Sequence, residues 1–228
     1  MNKLLRDSEG GALVEFTLVF PIFLLVAFGT VDFTYMLFDW SMANKAAFIG
    51  ARTAVVSDPV ASGITSLTYS TAGSALGNLC FDPATGQPSN TSSCPSVSTV
   101  CTPAASGGTC TNGYPWNESA FTNANGTGIL DGMQRIFPRL QRQNVQISYQ
   151  TNGLGFVGRP NGLPMGVTVS ILPSANPSVS CMTHQPYFIN ALMNWTFTAP
   201  AGCPAGTQAG LPIPAFATTL TSEDMVTN

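Results

Sequence analysis

The chain has 228 residues, a formal net charge of −3 and only 8% charged side chains. Soluble globular proteins carry about 25% charged residues, so this composition argues against an ordinary cytosolic enzyme. A net negative charge also argues against nucleic-acid binding, which requires a basic surface. The length allows a membrane anchor and one modest domain of roughly 100–150 residues.

The first predicted element is one long helix from about Gly10 to Ser57. Its first part is the apolar run from Phe16 to Phe38, in which Asp32 is the only ionisable residue. About 20 such residues span a bilayer, and a membrane helix tolerates Pro21, with a kink expected there. The second part is rich in helix formers until Pro59 ends it. At 1.5 Å per residue the helix is about 70 Å long, half in the bilayer and half outside.

Acidic residues stand at both ends of the apolar run: Glu15 at its entrance, and Asp32 and Asp39 at its far end. A carboxylate at the edge of a membrane segment is costly, so Glu15 is a candidate functional residue. The alternative is an interfacial acid that extends to the lipid headgroups. Asp32 and Asp39 are seven residues apart and share one helical face. We expect both to lie near the outer headgroups without a pairing role.

Six cysteines follow the apolar run: Cys80, Cys94, Cys101, Cys110, Cys181 and Cys203. No CxxC pair occurs and His184 is the only histidine, which argues against a zinc site. The even number favours disulfides in an oxidising compartment. Proximity predicts that the first four cysteines bridge among themselves and that Cys181 pairs with Cys203. The bulk of the chain then lies outside, and Lys3 and Arg6 favour a cytoplasmic amino terminus.

The residues Glu9 to Phe16 read Glu-Gly-Gly-Ala-Leu-Val-Glu-Phe and place Glu15 five residues after Gly10. This arrangement resembles the processing site of type IV pilin-like proteins, and its surroundings are most similar to the TadE-like pseudopilins of the tight-adherence (Flp) pilus. The resemblance implies that a prepilin peptidase cuts between Gly10 and Gly11, with Gly11 as an alternative cut point. It also implies that Glu15 pairs with the new terminal ammonium of a neighbouring subunit, since a buried charge is tolerable when paired.

The outer part begins with Ser/Thr/Gly/Pro-rich chain over residues 58–126, which we predict to be irregular and stapled by cysteines. Periodicity then predicts a helix over Ile129–Gln143, disturbed at Pro138, and strands over Asn144–Thr151 and Gly166–Leu172. A short helix over Gln185–Met193 and strands over Trp195–Thr198 and Ala215–Leu220 complete the prediction, the last at a sheet edge.

Nothing in the sequence predicts catalysis. No GxSxG, GxxxxGK[ST] or HExxH motif occurs, and a bridged Cys181 is unavailable to His184 as a thiolate. We expect His184 to lie in a loop or helix start, and Arg135, Arg139 and Arg142 to form a solvated face. No catalytic residue, cofactor or metal site is predicted.

The predicted fold is α+β: a leader (1–10), a transmembrane and stalk helix (11–57), the cysteine-containing loop region (58–126) and a small pilin-like extracytoplasmic domain with a short antiparallel sheet (127–228). The predicted function is that of a minor pilin or pseudopilin in tight-adherence pilus assembly. Its expected place is the bacterial inner membrane, crossed once, with the carboxyl-terminal domain in the periplasm or exposed on a pilus. Expected partners are the membrane, a prepilin peptidase, other pilus subunits and assembly-platform proteins. The alternatives are an unprocessed, membrane-anchored binding or adhesion module and, less favoured, a secreted hydrolase.

Overall fold

The computed structural model describes residues 8–66, 81–82, 84–85, 87–88, 96–152, 164–172, 182–193 and 210–222. The helices are α1 (Ser8–Val56), α2 (Glu118–Phe121), α3 (Ile129–Ile136) and α4 (Tyr187–Met193). The strands are β1 (Phe81–Asp82), β2 (Gln87–Pro88), β3 (Ser98–Pro103), β4 (Gly108–Cys110), β5 (Val145–Thr151), β6 (Met165–Ile171), β7 (Thr183–His184), β8 (Leu211–Pro212) and β9 (Phe216–Thr221). The described residues after α1 are called the head domain below.

Helix α1 dominates the molecule. It runs for 49 residues without a break at Pro21, about 73 Å at 1.5 Å per residue, and the helix predicted over Gly10–Ser57 is confirmed. Apolar side chains from Leu13 to Val26 are largely exposed. Within the described residues, α1 is the one helix long and apolar enough to cross a membrane, judged by length and composition alone.

The carboxyl-terminal part of α1 packs on the head domain through a stripe of small residues. The stripe repeats at helical spacing, and its alanines are completely buried: Ala43, Ala46, Ala47, Ala51 and Ala54. Gly50 lies in the same stripe, where an added Cβ would be only 2.6 Å from Met133 Sδ of α3 and 3.1 Å from Val169 Cγ1 of β6. Small side chains therefore bring the helix backbone into direct contact with α3 and the sheet.

The main sheet has five antiparallel strands in the order β4-β3-β5-β6-β9. In β5 and β6 every second side chain is buried, including Val145, Ile147, Val167 and Val169. These positions form the core beneath α1 and α3. The predicted α+β class and the strands over 144–151, 166–172 and 215–220 are confirmed, and β9 lies at the sheet edge.

Two parts of the prediction differ from the structure. Residues 58–126 are not wholly irregular, because β3, β4 and α2 lie within them and β3 is an interior strand of the main sheet. The helix expected over Ile129–Gln143 ends at Ile136, just before Pro138, because the residue preceding a proline is disfavoured in a helix. The strand predicted over Trp195–Thr198 lies outside the described residues.

One disulfide is described, between Cys101 of β3 and Cys110 of β4, which are directly opposite each other in the strand pair. The pairing stays within the first four cysteines, as predicted for them. Cys80, Cys94, Cys181 and Cys203 lie outside the described residues, and their partners stay a prediction.

Candidate functional site

The candidate processing and assembly residues lie at the start of α1. Gly10 and Gly11 are in its first turns, and an added Cβ on Gly11 would meet nothing within 4 Å. The Glu15 side chain is exposed, beside the exposed side chains of Val14 and Phe16. In the described part of the chain, Glu15 has no hydrogen-bond or ion-pair partner. The region is thus a helix start at which the Glu15 carboxylate is exposed.

Asp32 is placed quite differently from an acid among headgroups. It is only 3% exposed, and its carboxylate receives the first backbone N–H groups of α4. The Tyr187 N–H donates to Oδ1 at 3.1 Å, the Phe188 N–H donates to Oδ2 at 3.0 Å, and the Ile189 N–H donates to Oδ2 at 2.8 Å. Asp32 therefore caps α4 from a distant part of the chain, satisfying the N–H groups that every helix start leaves unpaired. The expectation that it has no pairing role is wrong.

Side-chain packing reinforces this cap. The Phe28 and Phe188 rings stack with centroids 5.0 Å apart, and a Cβ on Gly29 would be 3.9 Å from Ile189 Cδ1. Helix α4 therefore lies against α1 between Phe28 and Asp32, inside the apolar run rather than above it.

Asp39 forms a second junction, one heptad further along α1. Its Oδ2 atom is 2.8 Å from Arg139 Nη1 and 2.8 Å from His184 Nδ1. Arg139 Nη2 also donates to the Thr183 carbonyl at 3.0 Å. The expectation of an unpaired Asp39 is therefore wrong. Arg139 is 52% exposed, as expected of a solvated residue, but it pairs with Asp39. His184 was expected in a loop or at a helix start and lies in a short strand instead. His184 lies in β7, its side chain is 5% exposed, and its contact with Asp39 joins β7 to α1.

The two aspartates share one function. Their predicted common face is confirmed, since both contact the segment 182–190: Asp39 binds β7 and Asp32 binds the start of α4. The spacing of the acids indicated the shared face, but no signal in the sequence indicated the segment opposite.

A third ionic cluster lies within the head domain, between Glu118 and Arg142. Arg142 donates to both oxygens of Glu118, at 2.9 and 3.0 Å, and to the Gly107 carbonyl at 2.8 Å. The Trp116 indole N–H donates to Glu118 Oε2 at 2.6 Å. The hydrogen bond from Arg142 is the main cause that holds the pKa of Glu118 below its ordinary value, against the opposing effect of burial. Arg142 is thus a structural link between the β3–β4 hairpin and α2, not part of a solvated face.

Two further polar groups have structural explanations. The Tyr149 hydroxyl, whose pKa is raised by burial, accepts a hydrogen bond from the Val60 N–H at 2.9 Å. Asp131 accepts from the Gly128 and Asn123 N–H groups, both at 3.0 Å, and so caps α3. Among the described residues no group of three or more His, Cys, Asp or Glu side chains could hold a metal ion.

The protein thus has an exposed, apolar helix start, and its head domain contacts the same helix through Asp32 and Asp39. The family model described as TadE-like protein matches residues 10–52, the segment that contains Gly10, Gly11, Glu15 and both aspartates. No curated protein and no solved structure matches the chain. The family is associated with assembly of the Tad pilus and is not a known enzyme family, and the apolar helix indicates a membrane-anchored, pilus-related protein. The resemblance predicted from the residues around Glu15 is therefore confirmed: over residues 10–52 the chain matches the TadE-like family.

Proposed function

We propose that this protein is a minor pilin-like or pseudopilin-like subunit that takes part in assembling a tight-adherence pilus by associating with other subunits. The observation that carries the proposal is the exposed Glu15 carboxylate at the entrance of the apolar half of α1. A carboxylate at the edge of a hydrocarbon layer is costly, and a positive charge from another chain would offset that cost. The terminal ammonium of a neighbouring, processed subunit is the proposed partner.

The start of α1 suits removal of a leader comprising residues 1–10. Two adjacent glycines occur there, and each weakens a helix by about 1 kcal/mol relative to alanine. The helix start can therefore open at low cost for a peptidase to reach the Gly10–Gly11 bond. Among the described residues, no atom would lie within 4 Å of a Cβ placed on Gly11, which supports access to that bond.

The proposed topology puts the amino terminus in the bacterial cytoplasm and the head domain in the periplasm, with α1 crossing the inner membrane. The Cys101–Cys110 disulfide supports this orientation, because disulfides persist in oxidising compartments. The small-residue contact between α1 and the head domain supports a stalk and head that move as one unit during assembly.

The first experiment determines the intact mass and amino-terminal sequence of the full chain extracted from membranes with and without a prepilin peptidase. We expect peptidase-dependent loss of residues 1–10, leaving Gly11 first and Glu15 fifth. A chain that starts at Ala12 would instead make Gly11 the cut point and Glu15 the fourth residue. A full-length chain in both samples would favour the unprocessed, membrane-anchored binding module.

The second experiment tests Glu15 itself by replacing it with glutamine, which keeps the size and removes the charge. We expect Glu15→Gln to be processed normally but to lose co-purification with the pilus subunits. Glu118→Gln is the matched control, because Glu118 is paired inside the head domain with Arg142 and should leave co-purification intact. Equal behaviour of the two variants would contradict the assembly role of Glu15.

A further inference from the structure

Helix α4 is an apolar segment attached to the part of α1 that is expected to lie in the membrane. Its first residues are Tyr187 and Phe188, whose side chains are 71% and 40% exposed. Exposed apolar residues of α1 lie at a similar level, among them Val31 and Tyr35, which are 39% and 57% exposed. Exposed aromatic side chains of this kind are enriched where a membrane meets water.

The depth of α4 follows from its contacts with α1. At 1.5 Å per residue, Phe28 lies about 20 Å and Asp32 about 26 Å above Glu15 along the helix axis. The hydrocarbon layer is about 30 Å thick. With Glu15 at one boundary, the start of α4 therefore lies just inside the opposite boundary. Asp39, with Arg139 beside it, lies about 36 Å above Glu15, at the level of the headgroups.

Several polar groups at this depth are satisfied within the protein, as a lipid environment favours. The Thr30 hydroxyl donates to the Ala27 carbonyl and the Thr34 hydroxyl donates to the Thr30 carbonyl, each at 2.7 Å. The Asp32 carboxylate and the amino-terminal N–H groups of α4 satisfy one another. A carboxylate and a helix start, each costly in hydrocarbon, are thus acceptable there as a pair.

We propose that α4 is a lipid-contacting element, held by Asp32 in the leaflet from which the head domain emerges. Tyr187 and Phe188 lie in the outer part of the acyl-chain layer, at the level of Phe28 and Asp32, and Arg139 lies at the level of the headgroups above them. The anchor of the protein then consists of α1 together with α4, and the head domain rests on the membrane surface at a fixed height. This proposal depends on membrane insertion of α1 but not on leader cleavage or on Glu15 pairing.

The test places the photo-crosslinking residue p-benzoylphenylalanine at position 187 of the full chain, reconstituted in nanodiscs of palmitoyl-oleoyl-phosphatidylcholine. After irradiation, the intact mass reports whether one lipid has been attached. Phe23, 64% exposed in the apolar half of α1, is the positive control position. Thr109 is the negative control position: it is exposed on β4, next to Gly108, which packs against Trp116. Trp116 forms an isolated β-bridge with Ala61, which follows the end of α1 that is farthest from Glu15.

We expect lipid adducts at positions 187 and 23 and none at 109. No adduct at 187, with an adduct at 23, would overturn the lipid contact of α4 while leaving the membrane anchor intact. A doubled protein mass at 187 would also overturn it, by showing that a second copy of the chain covers α4. No adduct at 23 would overturn the membrane insertion on which the proposal depends. If the adduct at 187 alone is missing, normal leader cleavage would leave the proposed assembly function standing. Loss of the adduct at 23 would also count against the membrane topology on which that function depends.

Discussion

The imidazole Nδ1 of His184 lies 2.8 Å from Asp39 Oδ2, although the two residues are 145 positions apart in the chain. Because the carboxylate can only accept, His184 donates its Nδ1 proton to it. The bond joins the carboxyl-terminal part of the head domain to the stalk, just above the apolar half of α1. Arg139 meets the same oxygen from the turn after α3, so one carboxylate oxygen connects three parts of the fold.

Replacing Asp39 with alanine should loosen this junction. The change leaves the buried His184 imidazole without its acceptor, and an unsatisfied buried polar group costs about 1–3 kcal/mol. We expect the detergent-solubilised variant to unfold at a lower midpoint temperature than the native chain, as measured by circular dichroism.

Arg139→Ala is the matched control for Asp39→Ala. It removes an arginine that is 52% exposed and leaves the Asp39–His184 contact in place, and exposed ion pairs contribute at most about 1 kcal/mol. An equal loss in the two variants would contradict the assignment of stability to the buried histidine contact.

Replacing Asp32 with alanine should free the start of α4. Loss of a helix cap costs about 0.5–2 kcal/mol, which corresponds to a roughly 2- to 30-fold increase in exchange of the capped amides. Hydrogen–deuterium exchange of the peptide covering residues 182–193 measures this change.

Thr34→Val serves as the neighbouring control for Asp32→Ala. The Thr34 hydroxyl bonds only to the backbone of its own helix in the described contacts, so exchange in the 182–193 peptide should not change. Either of two results would show that α4 is not held by the Asp32 carboxylate: faster exchange in Thr34→Val, or an unchanged exchange rate in Asp32→Ala.

The contact between the stalk and the head domain can be tested at Gly50. A Cβ there would be 2.6 Å from Met133 Sδ and 2.8 Å from Met133 Cγ, and valine would crowd the site further. Overpacking of this kind costs typically about 1–3 kcal/mol, so Gly50→Val should lower the unfolding midpoint.

Gly132→Ala is the control from the same interface. Its new Cβ would be 3.6 Å from Thr53 Oγ1, an ordinary contact, and alanine favours a helix over glycine by up to about 1 kcal/mol. Its midpoint should stay unchanged or rise. If Gly50→Val were as stable as the native chain, α1 could not be packed directly on α3.

The sequence predicted local structure well and long-range contacts poorly, for identifiable reasons. Strands β5 and β6 were predictable because valine and isoleucine occupy every second, buried position. Strand β3 was missed because its buried positions are Thr99, Cys101 and Pro103, while its one valine, Val100, is on the less buried face. The strand therefore lacks the pattern of large apolar side chains at every second, buried position.

The same limit applies to the candidate site. Helical geometry put Asp32 and Asp39 on one face, but it carried no information on which segment packs opposite. The 182–190 segment is itself short on periodicity, and its pairing with α1 depends on closing a loop of about 150 residues, which no local pattern encodes.

The ion pair of Glu118 with Arg142 gives a pH dependence of known sign. Because the pKa of Glu118 is lower in the folded protein than its ordinary value of 4.5, the ionised form is favoured by folding. Its contribution to stability is fully present above about pH 4.5 and is lost as the pH falls through the lower, folded-state pKa.

The unfolding midpoint, measured from pH 7 to pH 3, should therefore fall more steeply for the native chain than for Glu118→Gln, which has no carboxylate to protonate. Because Glu118 is 43% exposed, solvent screening keeps the difference small. Parallel curves for the two proteins would contradict the lowered pKa of Glu118 in the folded protein. A steeper fall in Glu118→Gln would mean that the pH dependence contributed by Glu118 has the opposite sign.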